Sequence, residues 1–366
     1  MRKIHLLFVS NNLNRGSGVA EYIYKLCKGI NKKKFQIDIF LYDYNDLEYI
    51  KELKNNYKIN IFYYNDKKST INFKEILNKN KYDIVELHAP IYSFRYLKIA
   101  KEYGVPIRIC HAHSIIRSTS KLKNILSKYM NIRLKDYANT YFACSKLAAQ
   151  YWYNNVNNNN YYYIPNFINE PQKKDLNFKN KIMHKYKISE NNLILGYIGR
   201  ISKEKNITFL IKIINMLNID KKNKYKLFLI GSGKEKYIKK IKNMIGDYNI
   251  ENVFLVGYKE NIYDWLSIFD LFIFPSQKEG LGMSLVEAQL SDTFCVAHKS
   301  MPEETNIGKI IYLENNVNIW VNYIKNFKND SNNVDYNNFQ KRKNMFNNDL
   351  NILKLERLYS ELIKGE

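Results

Sequence analysis

The 366-residue chain is expected to fold as an α/β protein of two domains, each a parallel sheet covered by helices. Three observations carry this expectation. Short apolar runs alternate with longer amphipathic stretches over nearly the whole length, the pattern that builds parallel sheets flanked by helices. The length suits about two domains of ~150 residues each, and 45% hydrophobic residues are ample for two cores. Between two series of apolar runs lies a lysine- and asparagine-rich stretch, 151–187, with the run Asn157 to Asn160 and an isolated Pro165.

The first series of expected strands is 4–9, 36–41, 83–87, 106–110 and 140–144. The second is 193–197, 226–230, 252–256, Leu271–Phe274, 293–297 and 309–313. The opening residues pair two cations with an apolar run, but His5 interrupts it and Ser10-Asn11-Asn12 ends it, so a first strand is expected rather than a secretory leader. The tail Asn348–Lys364 spaces Leu350, Leu353, Leu355, Leu358 and Leu362 close to a helical period and is expected to be an amphipathic helix. The domain reading is therefore 1–165, a linker at 166–190, a second domain at 191–346, and a closing helix at 347–366 that is free to cross back to the first domain.

The chain carries 58 Lys plus Arg against 35 Asp plus Glu, a formal charge of +23. Nucleic acid, an anionic membrane and acidic small ligands are the partners that such a charge invites. Richness in Lys, Asn, Ile and Tyr offers a compositional origin for part of it. No RNP-type aromatic motif, paired Cys/His finger or basic zipper accompanies the charge, so nucleic acid is not expected as a partner. Cys27, Cys110, Cys144 and Cys295 are widely spaced, which fits neither a disulfide framework nor a zinc ribbon and points to a reducing cytoplasm. No apolar window reaches the ~20 residues that span a bilayer.

Three places put glycine after an apolar run and before a helical pattern: Gly16-Ser17-Gly18, Gly199-Arg200 and Gly231-Ser232-Gly233. Each can expose backbone N–H groups at a helix start, where the dipole favours an anion. Each can equally be an ordinary turn that needs positive φ, and none completes a dinucleotide fingerprint or a P-loop. The loop from Gly199 to Ile207 adds Arg200 and Lys205, a planar fork and a movable point charge that suit a diphosphate. Lys203 is read as solvated.

The most informative segment runs from Phe274 through Pro275, Ser276, Glu279, Gly280, Leu281 and Gly282 into a helix near Met283 that carries Glu287. Two carboxylates thus flank one anion-binding helix end. Carboxylates are poor phosphate ligands but good acceptors from sugar hydroxyls. Glu279 could hold one sugar and Glu287 a ribose.

With these residues in view, the chain resembles the retaining glycosyltransferases of family 4, which have two facing Rossmann-like domains (the GT-B fold), and most closely their branch in bacterial capsular and exopolysaccharide synthesis. The likeness runs through Gly16-Ser17-Gly18, His111-Ala112-His113-Ser114, Phe142 to Lys146, Ile164-Pro165-Asn166, Gly199-Arg200 with Lys205, Gly231-Ser232-Gly233, and Glu279-Gly280 to Glu287-Ala288-Gln289. It implies a hexosyltransferase using a nucleotide-diphosphate sugar, UDP-linked by preference. Arg200 and Lys205 would neutralise the diphosphate, Glu287 would bind the ribose, and Glu279 would contact the donor sugar beside Gly280, Leu281 and Gly282. Gly16, Ser17, Gly18 and Gly231 would lie near the phosphates, and His113 would be the active-site histidine. The acceptor would be a glycan or a polyprenyl-diphosphate-linked saccharide, held chiefly by the first domain.

The resemblance also implies no cofactor and no metal. A metal reading of His111 and His113, which face the same way on an extended segment, lacks partners because Cys110 points to the opposite face. The chain departs from the family at Phe167, where glycine is common, at Asn206 after Lys205, and at Ser291-Asp292-Thr293 in place of a Gly-Pro passage. No carboxylate nucleophile for a double displacement is recognisable, so same-face attack is expected, with the leaving phosphate accepting the proton. The segment 120–137 reads either as a core-packed helix with a basic solvated face or as a dock for anionic lipid, which would make the protein peripheral on the inner face of the plasma membrane. A sugar-nucleotide epimerase or hydrolase on the same fold, and a non-catalytic subunit of an assembly complex, are the alternatives.

Overall fold

The computed structural model describes residues 2–14, 17–43, 47–64, 68–88, 90–115, 133–153, 161–168, 175–220, 224–328 and 336–365. The chain divides into two compact units: Met1–Phe167 with Met345–Glu366, and Ile168–Asn344.

The first unit is built on seven parallel strands: β1 (Ile4–Ser10), β2 (Phe35–Leu41), β3 (Asn60–Tyr63), β4 (Ile84–Leu87), β5 (Ile107–Ala112), β6 (Thr140–Ala143) and β7 (Tyr162–Tyr163). Their order is β3-β2-β1-β4-β5-β6-β7. Leu6 of β1 is level with Ile84 of β4, and Ile4 with Phe35 of β2. Every residue of β4 and β6 is buried, as expected of strands covered on both faces. Two strands escaped the sequence reading. β3 buries only one of its four residues and β7 has two residues, so neither writes an apolar run.

The second unit has six parallel strands: β8 (Leu193–Ile198), β9 (Tyr225–Ile230), β10 (Val253–Gly257), β11 (Leu271–Phe274), β12 (Phe294–His298) and β13 (Ile310–Leu313). Their order is β10-β9-β8-β11-β12-β13. The expected linker at 166–190 contains the helix Leu176–Lys185, and Ile182 of that helix joins Ile188 in the second unit's core. Polar composition disguised it, because one buried isoleucine per two turns leaves little periodic signal.

The helix Asn348–Lys364 belongs to the first unit. Asn347 caps its start by accepting from the Leu350 N–H at 2.9 Å, and Gly365 ends it at φ 77°. Ile352, Leu355 and Tyr359 are its buried apolar side chains, spaced as one helical face, whereas Leu350 and Leu353 are exposed. Ile352 lies where a β-carbon on Gly29 would be, so this helix sits directly on the helix Gly18–Gly29. Glu356 Oε1 accepts from the Asn31 N–H at 2.7 Å.

Two of the glycines are required by close packing. Gly231 has φ +139°, and a β-carbon there would strike the Gly199 carbonyl oxygen; one on Gly233 would strike the Ile201 carbonyl. Gly231→Ala is expected to destabilise the second unit by about 2–3 kcal/mol, from positive-φ strain plus displaced backbone. Urea unfolding checks this, and an unchanged midpoint contradicts it.

Candidate functional site

In an open parallel sheet, ligands bind beyond the carboxyl ends of the strands, where the strand order reverses. In the second unit the reversal falls between β8 and β11. β8 leads into Gly199-Arg200 and β11 into Pro275-Ser276, so the two loops singled out by sequence leave the sheet side by side. They are also tied together. Asn206 Nδ2 donates to the Pro275 carbonyl at 3.4 Å, and Ser276 Oγ to the Glu204 carbonyl at 3.4 Å.

Lys205 Nζ forms an ion pair with Glu279 Oε1, both side chains being largely buried, and Nζ also stands 5.8 Å from the centre of the Phe274 ring. Tyr197 reports Arg200 in the same neighbourhood. Burial chiefly raises its phenol well above the ordinary range; the charge of Glu279 raises it further and Arg200 opposes. The Tyr197 hydroxyl donates to the Arg200 carbonyl at 3.1 Å, which fixes the loop that carries the guanidinium. Lys205 and Glu279 are thus paired across the two loops, with Arg200 exposed on the first of them.

The helix Met283–Leu290 starts at Gly282, which has φ 83° and supplies no side-chain cap, so its first amides face the glycine-rich turn. Glu287 lies one turn inside and is buried. Two of the departures from the family pattern have a physical explanation. Asn206 has φ 56° and Asp292 has φ 72°, so each occupies the left-handed conformation that glycine would otherwise supply, and short polar side chains tolerate it.

In the first unit the order reverses between β1 and β4. Ser17 is the N-cap of the helix Gly18–Gly29 and its side chain makes no capping bond; Gly16 lies outside the described residues. At the carboxyl ends of β4 and β5 stands a buried cluster that the sequence reading missed. The expectation that His111 and His113 lack neighbours of ligating type is corrected by Glu86 and His88. His88 Nδ1 and His113 Nε2 are 2.9 Å apart, and His113 Nδ1 is 2.8 Å from Asn166 Oδ1. His111 Nδ1 donates to Glu86 Oε1 at 2.8 Å, and the Tyr359 hydroxyl of the C-terminal helix donates to Glu86 Oε2.

The Tyr22 ring leans over His113 at 4.8 Å and stacks on Phe167 at 4.6 Å and 5°. That stack explains the third departure, since the turn is reshaped without positive φ and Phe167 is fully buried. Burial drives His88 and His113 well below the ordinary histidine range and His111 down to about 3. The opposite shift, upward, falls on the Glu86 carboxyl for the same reason.

The three histidines place one ligand atom each within 4.8 Å of one another. The 2.9 Å contact between His88 and His113 is, however, tighter than the roughly 3.3 Å that Zn–N bonds would impose on two nitrogens of a tetrahedral ion. Hydrogen bonds join His88 to His113 and His111 to Glu86, while His88 Nε2 and His111 Nε2 are buried without hydrogen-bond partners among the described residues. One signal for this cluster was available: Glu86-Leu87-His88 ends an apolar run just as His111 does.

Two doubly wound parallel units in one chain, the second with cations and carboxylates at its reversal point, define the GT-B class. The chain belongs to the family 4 glycosyltransferases: a model described as Glycosyltransferase Family 4 matches residues 16–171, and one described as Glycosyl transferases group 1 matches 178–346. Among its relatives, the putative glycosyltransferase EpsF of Bacillus subtilis is 26% identical over 316 residues, 83% of this chain and 81% of EpsF. A Staphylococcus aureus poly(ribitol-phosphate) alpha-N-acetylglucosaminyltransferase is 28% identical over 85% of this chain, which spans about half, 53%, of that relative. The fold is shared with Anabaena HepE in complex with UDP, at TM-score 0.77 and 15% identity over 98% of this chain and 100% of that one.

Proposed function

We propose that the protein transfers a hexosyl group from a UDP-sugar to a glycan or lipid-linked saccharide in bacterial surface polysaccharide synthesis, with retention of anomeric configuration and without a metal. The observation that carries this reading is at the β8/β11 reversal: the Lys205–Glu279 pair joining the two loops, with Arg200 on the first loop and the start of the helix Met283–Leu290 on the second. The names of relatives, a capsular polysaccharide biosynthesis glycosyltransferase and a poly(ribitol-phosphate) alpha-N-acetylglucosaminyltransferase, support the pathway, and UDP bound to a protein of the same fold supports the donor.

In this reading Arg200 grips the diphosphate bidentately and the helix-start amides and Lys205 meet the charge that grows on the leaving oxygen. Lys205 is held ready by Glu279, which in turn accepts from donor-sugar hydroxyls. Glu287 receives the ribose hydroxyls. Gly280 to Gly282 keep the turn open to the sugar. His113 stands by the reacting sugar. No carboxylate is assigned as nucleophile, so the acceptor attacks on the face the phosphate leaves, and the phosphate takes its proton.

A mass-spectrometric screen of purified protein against UDP- and GDP-sugars for slow donor hydrolysis tests the donor class without a known acceptor. Turnover of no sugar nucleotide overturns the reading. Inversion at the anomeric carbon, read by proton NMR of the product, overturns the mechanism. Glu287→Gln is expected to weaken UDP binding about 10–100-fold, the worth of a charged hydrogen bond of roughly 1.5–3 kcal/mol. Calorimetric titration measures it.

Among the described residues no helix is long and apolar enough to cross a membrane. Most of 120–137, the segment considered for lipid docking, lies outside those residues. Flotation with anionic vesicles tests that docking, and binding that is indifferent to anionic lipid ends it.

A further inference from the structure

If His113 stands beside the reacting sugar, as proposed above, its chemistry depends on which ring nitrogen carries the proton, and neither nitrogen is available to a substrate. Nδ1 is 2.8 Å from Asn166 Oδ1, an acceptor only, so Nδ1 carries the proton and donates it there. Nε2 of the neutral ring is then an acceptor, and the His88 Nδ1–H at 2.9 Å fills it. His88 Nε2 is 3.6 Å from Glu86 Oε1, beyond hydrogen-bond distance, and is buried without a hydrogen-bond partner among the described residues. That carboxyl is held from two sides, by His111 Nδ1 and by the Tyr359 hydroxyl. The hydrogen bonds thus form two groups, Tyr359 and His111 on Glu86, and His88–His113–Asn166, and every member is buried.

We infer that His88 and Asn166 are positioning residues for His113, holding its ring in one plane and in the uncharged Nδ1–H tautomer. The chemical consequence concerns the transition state. Glycosyl transfer builds positive charge at the anomeric carbon, and an imidazolium there would repel it. With both nitrogens committed, His113 cannot take up a proton unless one of these bonds breaks. The Tyr22 ring, stacked on Phe167, closes the ring's side.

The test uses the full-length protein labelled with ¹⁵N-histidine. Long-range ¹H–¹⁵N correlation, with the His113 signals assigned by their loss in His113→Gln, is expected to show Nδ1 protonated and Nε2 not. Protonation at Nε2 in the wild type overturns the inference. Donor hydrolysis supplies the second readout. His88→Phe keeps an aromatic ring but removes the donor, and is expected to lower kcat about 10²-fold through loss of ring placement, with the donor KM nearly unchanged. His88→Asn puts an amide donor where Nδ1 was and is expected to recover most of kcat. Equal kcat for the two variants overturns the inference. If His88→Phe does not fold, the wild-type tautomer and the Asn variant decide. A wild type that turns over no sugar nucleotide defeats the proposed function, while the tautomer measurement still reads the inference by itself.

Discussion

Arg200→Ala is expected to lower kcat/KM for sugar transfer roughly 10²–10³-fold, the cost found when one preorganised donor to a developing anion is removed. The guanidinium sits on the loop that leaves β8 at the reversal point, and the Tyr197 hydroxyl, bonded to the Arg200 carbonyl at 3.1 Å, holds that loop. Such a group costs little reorganisation when charge moves from the sugar to the diphosphate. The loss should fall mainly on kcat, because the leaving oxygen gains charge only in the transition state. Arg200→Lys should recover little of it, since an ammonium cannot reproduce a planar two-pronged contact. Steady-state kinetics with the donor found by the hydrolysis screen measure both. Unchanged kcat/KM in Arg200→Ala would remove the residue from the site. Lys205 is the less clean probe, because its removal strands the largely buried Glu279 carboxylate.

The first unit is expected to be acid-labile at a mild pH. His88, His111 and His113 are buried and resist protonation, His111 down to about 3. In the unfolded chain each takes up a proton near pH 6.5. Below that value the unfolded state therefore binds more protons than the folded one, and stability falls by up to ~1.4 kcal/mol per pH unit for each histidine. Glu86 works in the opposite direction, because its raised folded pKa means that the folded state binds its proton first. Three histidines against one carboxyl leave a loss of about 2–3 kcal/mol between pH 6 and pH 5. Against a typical total of ~5–15 kcal/mol this is a large fraction. Urea midpoints at the two pH values check it. Equal midpoints would mean that the histidines are accessible to protons in the folded state.

How much of this was legible in the sequence varies with the range of the interaction involved. Eleven strand segments were placed from apolar runs alone, and each coincides with a strand to within a residue or two, because strands covered on both faces must be apolar throughout. β3 and β7 left no such mark. The helix Leu176–Lys185 was hidden in a polar stretch, because its burial depends on what it meets in the second unit rather than on its own pattern. The C-terminal helix was placed correctly, yet two of the leucines that marked it are exposed; Ile352, Leu355 and Tyr359 do the packing.

The site shows the same division. The chain's own spacing placed Arg200, Lys205, Glu279 and Glu287 on two strand-to-helix connections, because turn chemistry and the alternation of strand and helix are local properties. That the two connections adjoin follows from β8 and β11 being neighbours, which is a matter of strand order. The cluster of Glu86, His88, His111 and His113 had no local signature, since its members come from β4 and β5 and are bonded to Asn166 and to Tyr359, 273 residues from Glu86. The sequence by itself determined the α/β class, the two series of strands and the placing of glycine, cations and carboxylates at strand-to-helix turns, all governed by short-range periodicity and chemistry. Only the tertiary structure decided which distant side chains share a buried polar cluster, because that depends on sheet order and on where the last helix returns.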